Sequence, residues 1–542
     1  MKVIGIVSAD LEQTPLGTAS RQAEELLGVP VLRRTVERVC RAGRLDGVQV
    51  ACPADQAGRC RALLEGLAAT VRPVDTEEPP YRRLIRAARK WSLDGWRGGL
   101  GGATSLDEYA HGAVAVELAR EESADAVWLC PGAAVLVDPD LIDAMVDHYQ
   151  RVAREMRCTF APVPPGLAGT VFEATLLAEL APQQIPPGWL LAYKPDQPQV
   201  DLAFKDCCYP CPEAARHASG RLIVDTRRAL ETVTELLNAQ PDPDVETAGR
   251  WLLERSGRHV PPLPREVEIE LTTEDQLADT PLRPRGSRVP GRGAIGLAAV
   301  EQIAGELAAY DDSLVVLGGF GEPLLHPAFE EVCRILSAAG VYGVAIRTNG
   351  LSLEEGVFET FFRHRVDVLN VLLDAWSEEL YERLHPGRRL ADITAALNRL
   401  SEARVAGGRV EPLIVPQITK SVDTVEQLDD FFDGWVRTVG WASIEGFSHY
   451  AGQLPDRGVM DMSPPSRCPC RRVRSRCLVL ADGRMTRCDQ DFKGLTAVGR
   501  IGDATLGQLW RSEALKTARD LHQAARWDEL PLCGTCAEWH RP

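Results

Sequence analysis

No apolar run in this sequence approaches the roughly 18 residues that a membrane-spanning helix needs, so a helical membrane protein is not expected. Positive charge is in deficit. Lys and Arg number 61 against 77 Asp and Glu, and the net charge of −16 argues against general binding to nucleic acid or an anionic membrane. The opening stretch, Met1 to Asp10, is apolar for too few residues to be a secretory signal and reads as a buried first strand. There is no internal repeat and no low-complexity block. No cysteine lies between Cys211 and Cys333, although the chain has 15. An odd cysteine count without an export signal points to the reducing cytoplasm, where close cysteine spacings suggest metal rather than disulfides.

What is present is ordinary for a soluble globular protein: 45% hydrophobic and 25% charged residues in a 542-residue chain, enough for three or four domains. Over residues 1–160, strand-like Val3–Val7, Gly47–Ala51 and Ala126–Cys130 alternate with helix-like Val31–Ala42 and Leu141–Val152, which predicts a doubly wound α/β domain. Proline-rich residues 161–215 read as irregular elaboration. A strand at Arg221–Val224 and a helix from Asp225 to about Leu237 are expected next. Pro261-Pro262-Leu263-Pro264 marks a boundary. A second α/β series follows, with strands at Val267–Leu271, Leu314–Leu317, Val344–Arg347, Val366–Leu373, Leu413–Pro416 and Ala442–Gly446. Helices are expected at Ala299–Ala309, Ala328–Ala339 and Leu390–Ala406. Six strands alternating with helices predict a partial β/α barrel. The expected domains are therefore 1–260, 261–463 and a cysteine-rich 464–542.

In that tail, Cys470, Cys488, Cys533 and Cys536 follow the spacing C-x17-C-x44-C-x2-C. A two-residue gap lets two thiolates from one turn reach one metal or cluster. Asp482-Gly483 lies between Leu478–Leu480 and Met485–Arg487 and predicts a hairpin that returns Cys488 toward Cys470. Spacing alone leaves both an iron–sulfur cluster and a four-cysteine zinc site open. Arg467, Arg471, Arg472, Arg474 and Arg476 crowd the first cysteine, as a solvated basic face or as charge that tunes a cluster. Upstream, Cys207-Cys208-Tyr209-Pro210-Cys211 is either a packing cluster or a supplementary metal site.

Cys470-Arg471-Arg472, the Asp-Gly hairpin, Cys488-x-x-Asp491, Val498 to Gly502 leading to Leu509-Trp510, and Leu532-Cys533-Gly534-Thr535-Cys536 together resemble the SPASM auxiliary-cluster domain. That resemblance implies that Cys470, Cys488, Cys533 and Cys536 ligate a [4Fe–4S] cluster, with Cys468 and Cys477 as bystanders. Leu317-Gly318-Gly319-Phe320-Gly321-Glu322-Pro323 after an apolar strand resembles radical S-adenosylmethionine (SAM) enzymes, as do Thr348-Asn349-Gly350, Leu373-Asp374-Ala375 and Tyr381-Glu382. In that family the segment contacts SAM, which implies Gly319, Gly321, Glu322, Pro323, Thr348 and Asn349 as cofactor-contacting positions. The family also needs C-x3-C-x2-C after the first strand. Here those positions are Asp275, Asp279 and Leu282, so the usual cluster loop is lost and SAM cleavage by the usual route is not expected.

Residues 1–160 resemble the cytidylyltransferase type of nucleotide–sugar enzyme through Val3–Val7, Leu27 to Leu32 and Val135 to Asp143. Arg221-Leu222-Ile223-Val224-Asp225-Thr226 resembles a later strand of that family. The triphosphate loop is acidic, with Asp10 and Glu12, and Pro131-Gly132-Ala133-Ala134 stands where a Mg²⁺-binding aspartate is expected. The whole order resembles the group named spiro-SPASM proteins. The expected function is an iron–sulfur protein that transfers electrons, presents a substrate or serves as a scaffold for a protein or small-molecule partner. The alternatives are a radical-SAM enzyme with a non-standard cluster site and a nucleotidyltransferase acting on a sugar or sugar acid.

Overall fold

The Val-Ile-Gly-Ile-Val run that opens the chain has no polar side chain for a solvated face, so it must lie inside a sheet covered on both sides. It does. Strand β1 (Val3–Ser8) pairs in parallel with β2 (Val48–Pro53) and with β4 (Ala126–Pro131), and β3 (Thr70–Val74) extends the β2 edge. Two antiparallel strands, β5 (Cys158–Thr159) and β6 (Thr170–Glu173), complete the order β3-β2-β1-β4-β6-β5. Val3, Val7, Val50 and Trp128 enter the core on one face, while Ile4, Ile6, Val127 and Leu129 enter the core on the other. This is the doubly wound sheet that the sequence predicts.

The computed structural model describes residues 1–74, 77–198, 200–277 and 279–541. The chain separates into two units, Met1–Ser256 and Gly257–Pro542. In the first, the helices Val31–Val39 and Pro139–His148 fall where expected, the latter capped by Asp138, which accepts from the Asp140 amide. Two local readings need correction. The proline-rich stretch is not wholly irregular, for it contains β6 and the helix Ala174–Leu180. Arg221–Val224 is not a strand. Its backbone bonds run to loops, Leu222 N to Pro165 O and Val224 N to Ala133 O, so the residues are buried without joining the sheet. Thr226 then caps the helix Arg227–Ala239 by accepting from Ala229 N.

The second unit alternates differently. Val267 and Ile269 of β7 (Glu266–Glu270) are apolar, while Glu268 and Glu270 between them are buried carboxylates. Period-two alternation sends the two sets to opposite faces. The parallel strands β8 (Leu314–Gly318), β9 (Gly343–Thr348), β10 (Val368–Leu372), β11 (Leu413–Lys420) and β12 (Ser443–Gly446) follow in order, each next to its predecessor. Helices Leu297–Leu307, Phe329–Ala338, Glu355–Arg363, Leu390–Ala406 and Leu428–Val439 make the connections. All six strands of the predicted partial barrel are present.

The tail does not fold apart from this sheet. β13 (Arg476–Val479) pairs in parallel with β7, with Arg476 opposite Glu266 and Val479 opposite Ile269. β14 (Arg484–Thr486) returns antiparallel across Asp482-Gly483, and β15 (Gly499–Arg500) closes a nine-stranded sheet. Gly483 has φ +84, the left-handed conformation that the turn requires and that glycine adopts without strain. Val289 and Phe320 of the barrel share one apolar cluster with Leu478, Leu480 and Phe492 of the tail. Truncating the full chain after residue 463 should therefore expose β7 as an unpaired edge and lower the melting temperature of the second unit or cause aggregation. Differential scanning calorimetry and gel filtration provide the check. An unchanged upper transition with a monomeric elution profile would show that the barrel does not depend on the tail.

Candidate functional site

The polar face of β7–β12 surrounds a small cavity of about 60 Å³ lined by Glu268, Arg283, Arg285, Arg347, Gln417 and Thr419, among others. The segment after β7 turns its arginines inward. Arg292 makes a bidentate pair with Glu270, Nε to Oε2 at 2.8 Å and Nη2 to Oε1 at 2.7 Å. Arg283 pairs with Asp374 at 2.6 Å and donates to Thr419 Oγ1 at 2.9 Å. Arg285 pairs with Asp275 at 3.2 Å and donates to the Gly321 carbonyl. Arg347 on β9 meets Glu268 at 3.2 Å. Apart from Arg347, whose side chain is one-third exposed, these charged side chains are almost wholly shielded from solvent, and each is matched by an opposite charge, as burial requires.

The three positions that would carry cluster cysteines are put to separate uses. Asp275 accepts from the Leu277 amide and from Asn349 Nδ2, both at 2.9 Å. Asp279 binds the Ser287 amide and hydroxyl at 2.7 and 2.5 Å on an exposed turn. Leu282 is buried and lines the polar cavity. A hard carboxylate held by arginine, a second one tied to a serine and a leucine cannot together replace three thiolates.

Gly319, Gly321, Glu322, Pro323, Thr348 and Asn349 are brought together at the ends of β8 and β9. Glu322 is fully buried and accepts from Thr348 Oγ1 and Asn349 N, both at 2.7 Å, and from Leu324 N at 3.2 Å. Burial pushes its carboxyl up to about 7. Pro323 begins the short turn that follows. Gly319 has φ +78, and a Cβ there would meet Glu270 Cβ at 2.5 Å; one at Gly321 would strike the Thr272 carbonyl. The Gly319 amide donates to Glu268 at 2.9 Å, and the Glu322 amide donates to Glu274 O at 2.7 Å. Protein groups thus take up the close approach and the amides that the motif provides.

In the tail, Cys470 precedes a short helix, Cys488 follows β14, and Cys533 and Cys536 share one turn in which Cys536 N donates to Cys533 O at 3.3 Å. Cys488 lies near Cys470 and Cys533, and Cys536 lies near the same two. Backbone N–H groups point at three of the sulfurs: Glu538 N at Cys536 Sγ (3.3 Å), Arg472 and Val473 N at Cys470, and Gln490 N at Cys488. Amide donors of this kind stabilise thiolate sulfur bound to a cluster. Burial pushes all four thiols up, so their ionisation requires a metal's positive charge. Zn–S bonds of about 2.3 Å would bring sulfurs within about 4 Å of one another. Among the described residues no three or more His, Cys, Asp or Glu side chains are grouped closely enough to hold a metal ion, so the side-chain positions do not choose between zinc and a cluster.

Asp489, beside Cys488, grips Arg472 through two bonds of 2.8 and 2.9 Å and thereby joins the first two cysteine segments. Burial would push Asp489 up, but Arg472, Arg476 and Arg347 hold it well below the usual carboxylate range. Asp491 accepts from Leu495 N, Thr496 N and Thr496 Oγ1, which fixes the turn after Cys488. Arg467 donates to Cys533 O at 2.7 Å and stacks on Trp527. Cys468 is exposed, and Cys477 is buried in β13, where Arg519 and Glu266 rather than the other cysteines are its charged neighbours. Of the upstream group, Cys207 sits against Cys158 in one core of the N-terminal sheet and Cys211 lies in the other.

Sequence reasoning missed the inward arginines and the cavity of the N-terminal unit. The signals were there: Glu268 and Glu270 occupy alternate positions of a buried strand, and Arg283, Arg285, Arg288 and Arg292 cluster just after it. The N-terminal cavity has Pro131 and Ala133 on its wall, at the place where the metal aspartate was expected.

Residues 284–432 match the sequence model of the Radical SAM superfamily, and residues 468–537 match that of SPASM, an iron–sulfur cluster-binding domain. An uncharacterized protein of Treponema pallidum (strain Nichols) is 29% identical over 241 residues, 42% of this chain and 65% of that protein. A GTP 3′,8-cyclase of Chlorobaculum tepidum is 35% identical over 81 residues, 15% of this chain and 24% of that enzyme. The chain thus spans less than two thirds of either relative's length. Similar solved structures include BtrN in complex with AdoMet and 2-DOIA, with 16% identity, a TM-score of 0.36, and coverage of 51% of this chain and 93% of that one. SuiB of Streptococcus suis bound to the precursor peptide SuiA gives 12%, 0.40, 50% and 70%. A cytidylyltransferase from Leptospira borgpetersenii gives 16%, 0.31, 47% and 93%. The second unit thus matches the Radical SAM superfamily model over residues 284–432 and, as its C-terminal part, the model of the SPASM iron–sulfur cluster-binding domain over residues 468–537.

Proposed function

We propose that this chain is an iron–sulfur electron-transfer protein in which the radical-SAM-type barrel serves as scaffold and a partner protein exchanges electrons with the tail. Cys470, Cys488, Cys533 and Cys536 hold one [4Fe–4S] cluster, which supplies the one-electron chemistry when bound. The observation that carries this reading is the filled barrel mouth. Arg283, Arg285 and Arg292, each paired to a carboxylate, occupy the segment from which a radical enzyme would present its catalytic cluster. Four cysteines remain as the redox-capable set, Cys470 buried and the others half-buried, three of them with amide donors. The odd cysteine count is consistent with work in a reducing cytoplasm.

Protein purified without oxygen from iron-replete cells should be brown, with about four iron and four sulfide per chain. Cys533→Ser with Cys536→Ser should abolish both. Stoichiometric zinc without sulfide would overturn the cluster, and about eight iron per chain would restore a second site.

With dithionite and SAM, 5′-deoxyadenosine should stay at the level of a protein-free control. Gly319, Gly321, Glu322 and Asn349 are engaged with one another and with neighbouring chain, and Asp275, Asp279 and Leu282 stand where the cysteines that present an open iron would be. Repeated turnovers that vanish on Glu322→Ala would instead make the barrel an active site and the protein a radical enzyme with a non-standard cluster.

A further inference from the structure

The ion pairs of the tail leave two arginines out. Arg472 is paired with Asp489 at 2.8 Å, and Arg526 is paired with Glu529 at 2.6 Å. Arg467 and Arg487 have no carboxylate at ion-pair distance among the described residues, and both are turned toward the segment that carries Cys533. Arg487 follows β14 and immediately precedes Cys488; it is 8% exposed, and its Nη2 donates to Pro531 O at 3.4 Å. Arg467 lies just before Cys470, and it donates Nη2 to Cys533 O at 2.7 Å and Nη1 to Gly534 O at 3.4 Å. Both guanidinium groups lie near the Cys533 thiol. Two cations thus fasten the turn of the last two cysteines to the segments that carry the first two.

A cation withdrawn from water is costly unless it is paired, and a carboxylate is the usual partner. Here main-chain carbonyls and aromatic faces stand in. The Arg467 guanidinium lies over the Trp527 ring at 4.7 Å and beside the Trp539 ring at 5.9 Å. Contact with a ring face stabilises a positive charge without cancelling it. Arg467 Nε is buried and has no acceptor. Two positive charges are therefore kept uncancelled beside four cysteines that must ionise to bind metal. Four thiolates outweigh the charge of Zn²⁺ or of an iron–sulfur core, so the loaded site is anionic, and reducing a cluster adds one more negative charge. Net charge around a cluster is one of the quantities that sets its potential.

We propose that Arg467 and Arg487 are the counter-ions of the tail site: they position the Cys533–Cys536 turn by its main chain, and their uncancelled charge favours the reduced over the oxidised cluster. They are positioning residues and ligate nothing themselves. The inference rests on the reading that the four tail cysteines hold a cluster, but the counter-ion role itself holds for any metal that these thiolates bind.

Redox titration of the anaerobically purified full chain, followed by visible absorption and by the electron paramagnetic resonance of the reduced cluster, tests the proposal. Arg467→Gln and Arg487→Gln keep a donor for the carbonyls and remove the charge. The double variant should weaken the preference for the reduced state by roughly tenfold or more, a fall in midpoint potential of about 59 mV for one electron. Arg467→Lys with Arg487→Lys should stay near the wild type. Arg526→Gln, which removes a charge already paired with Glu529 on an exposed turn, should change nothing. If the double Gln variant does not fold, Arg487→Gln alone decides. An unchanged midpoint in the Gln variants overturns the proposal, and so does a Lys variant that falls with them, since that marks a packing role rather than a charge. If the wild type carries zinc without sulfide, the iron–sulfur reading fails, and cobalt(II) titration of the metal-free full chain decides the counter-ion role through cobalt–thiolate absorption. Several-fold weaker binding in the Gln variants with recovery in the Lys variants upholds it, and equal affinity overturns it. A wild-type chain that binds no cobalt overturns both readings.

Discussion

Glu270 is the group on which the second unit depends. It lies on β7, fully buried, and its two oxygens hold Arg292 in a fork while Oε2 also accepts from the Ala481 amide at 2.8 Å. Arg292 in turn donates to the Phe492 carbonyl at 3.1 Å. One carboxylate therefore ties the first barrel strand to the segment after it and to the tail hairpin. Removing one partner of a buried pair costs about 3–5 kcal/mol because the other charge is left unmatched. Gly319 packs against the Glu270 side chain itself, so the glycine motif is built onto the same anchor.

That anchor also sets the chemistry. A barrel mouth that held a cluster and a sulfonium cofactor would need space and open metal coordination. Here the residues following β7 bring in three guanidinium groups, and Glu270, Asp275 and Asp374 neutralise them. The result is a dense polar interior with little free volume. The match to a cluster-binding domain lies in the tail, where the Arg472–Asp489 pair aligns the Cys470 and Cys488 segments and main-chain amides face the sulfurs. The pairing of β13 with β7 places those cysteines on the barrel sheet rather than on a separate module.

Much of this architecture was legible in the sequence because the strands announce themselves by period. Val3–Val7 reads as doubly covered and proves so, and all six barrel strands lie where apolar runs alternate with helical stretches. The Asp482-Gly483 hairpin was legible from turn chemistry alone. Arg221–Val224 misled because burial of Leu222, Ile223 and Val224 gives the same apolar signal in a loop as in a strand; only the hydrogen-bond partners differ. Among the tail cysteines only the Cys533–Cys536 spacing is local; Cys470 and Cys488 were singled out by the resemblance to the SPASM domain. The ion pairs Arg283–Asp374 and Arg292–Glu270 could not, because each joins residues tens of positions apart in a geometry that only the folded sheet creates.

The glycine motif shows how a sequence signature can outlive the contact that it marks. Gly319 and Gly321 are required here whether or not a cofactor is bound, because any Cβ would strike Glu270 or the Thr272 carbonyl. Glu322 is required because it satisfies Thr348 and the Asn349 amide inside the fold, and an unmet buried donor costs about 1–3 kcal/mol. Each residue that the family uses toward SAM thus has a packing or hydrogen-bond role of its own in this chain. The cysteines at the positions of Asp275, Asp279 and Leu282 would have had only the cluster to hold. Once a cluster is not needed, nothing in the fold opposes their replacement, while the glycines and Glu322 remain constrained. Loss of the ligand cysteines with retention of the motif therefore follows from the packing and hydrogen-bond roles that Gly319, Gly321 and Glu322 have in this fold.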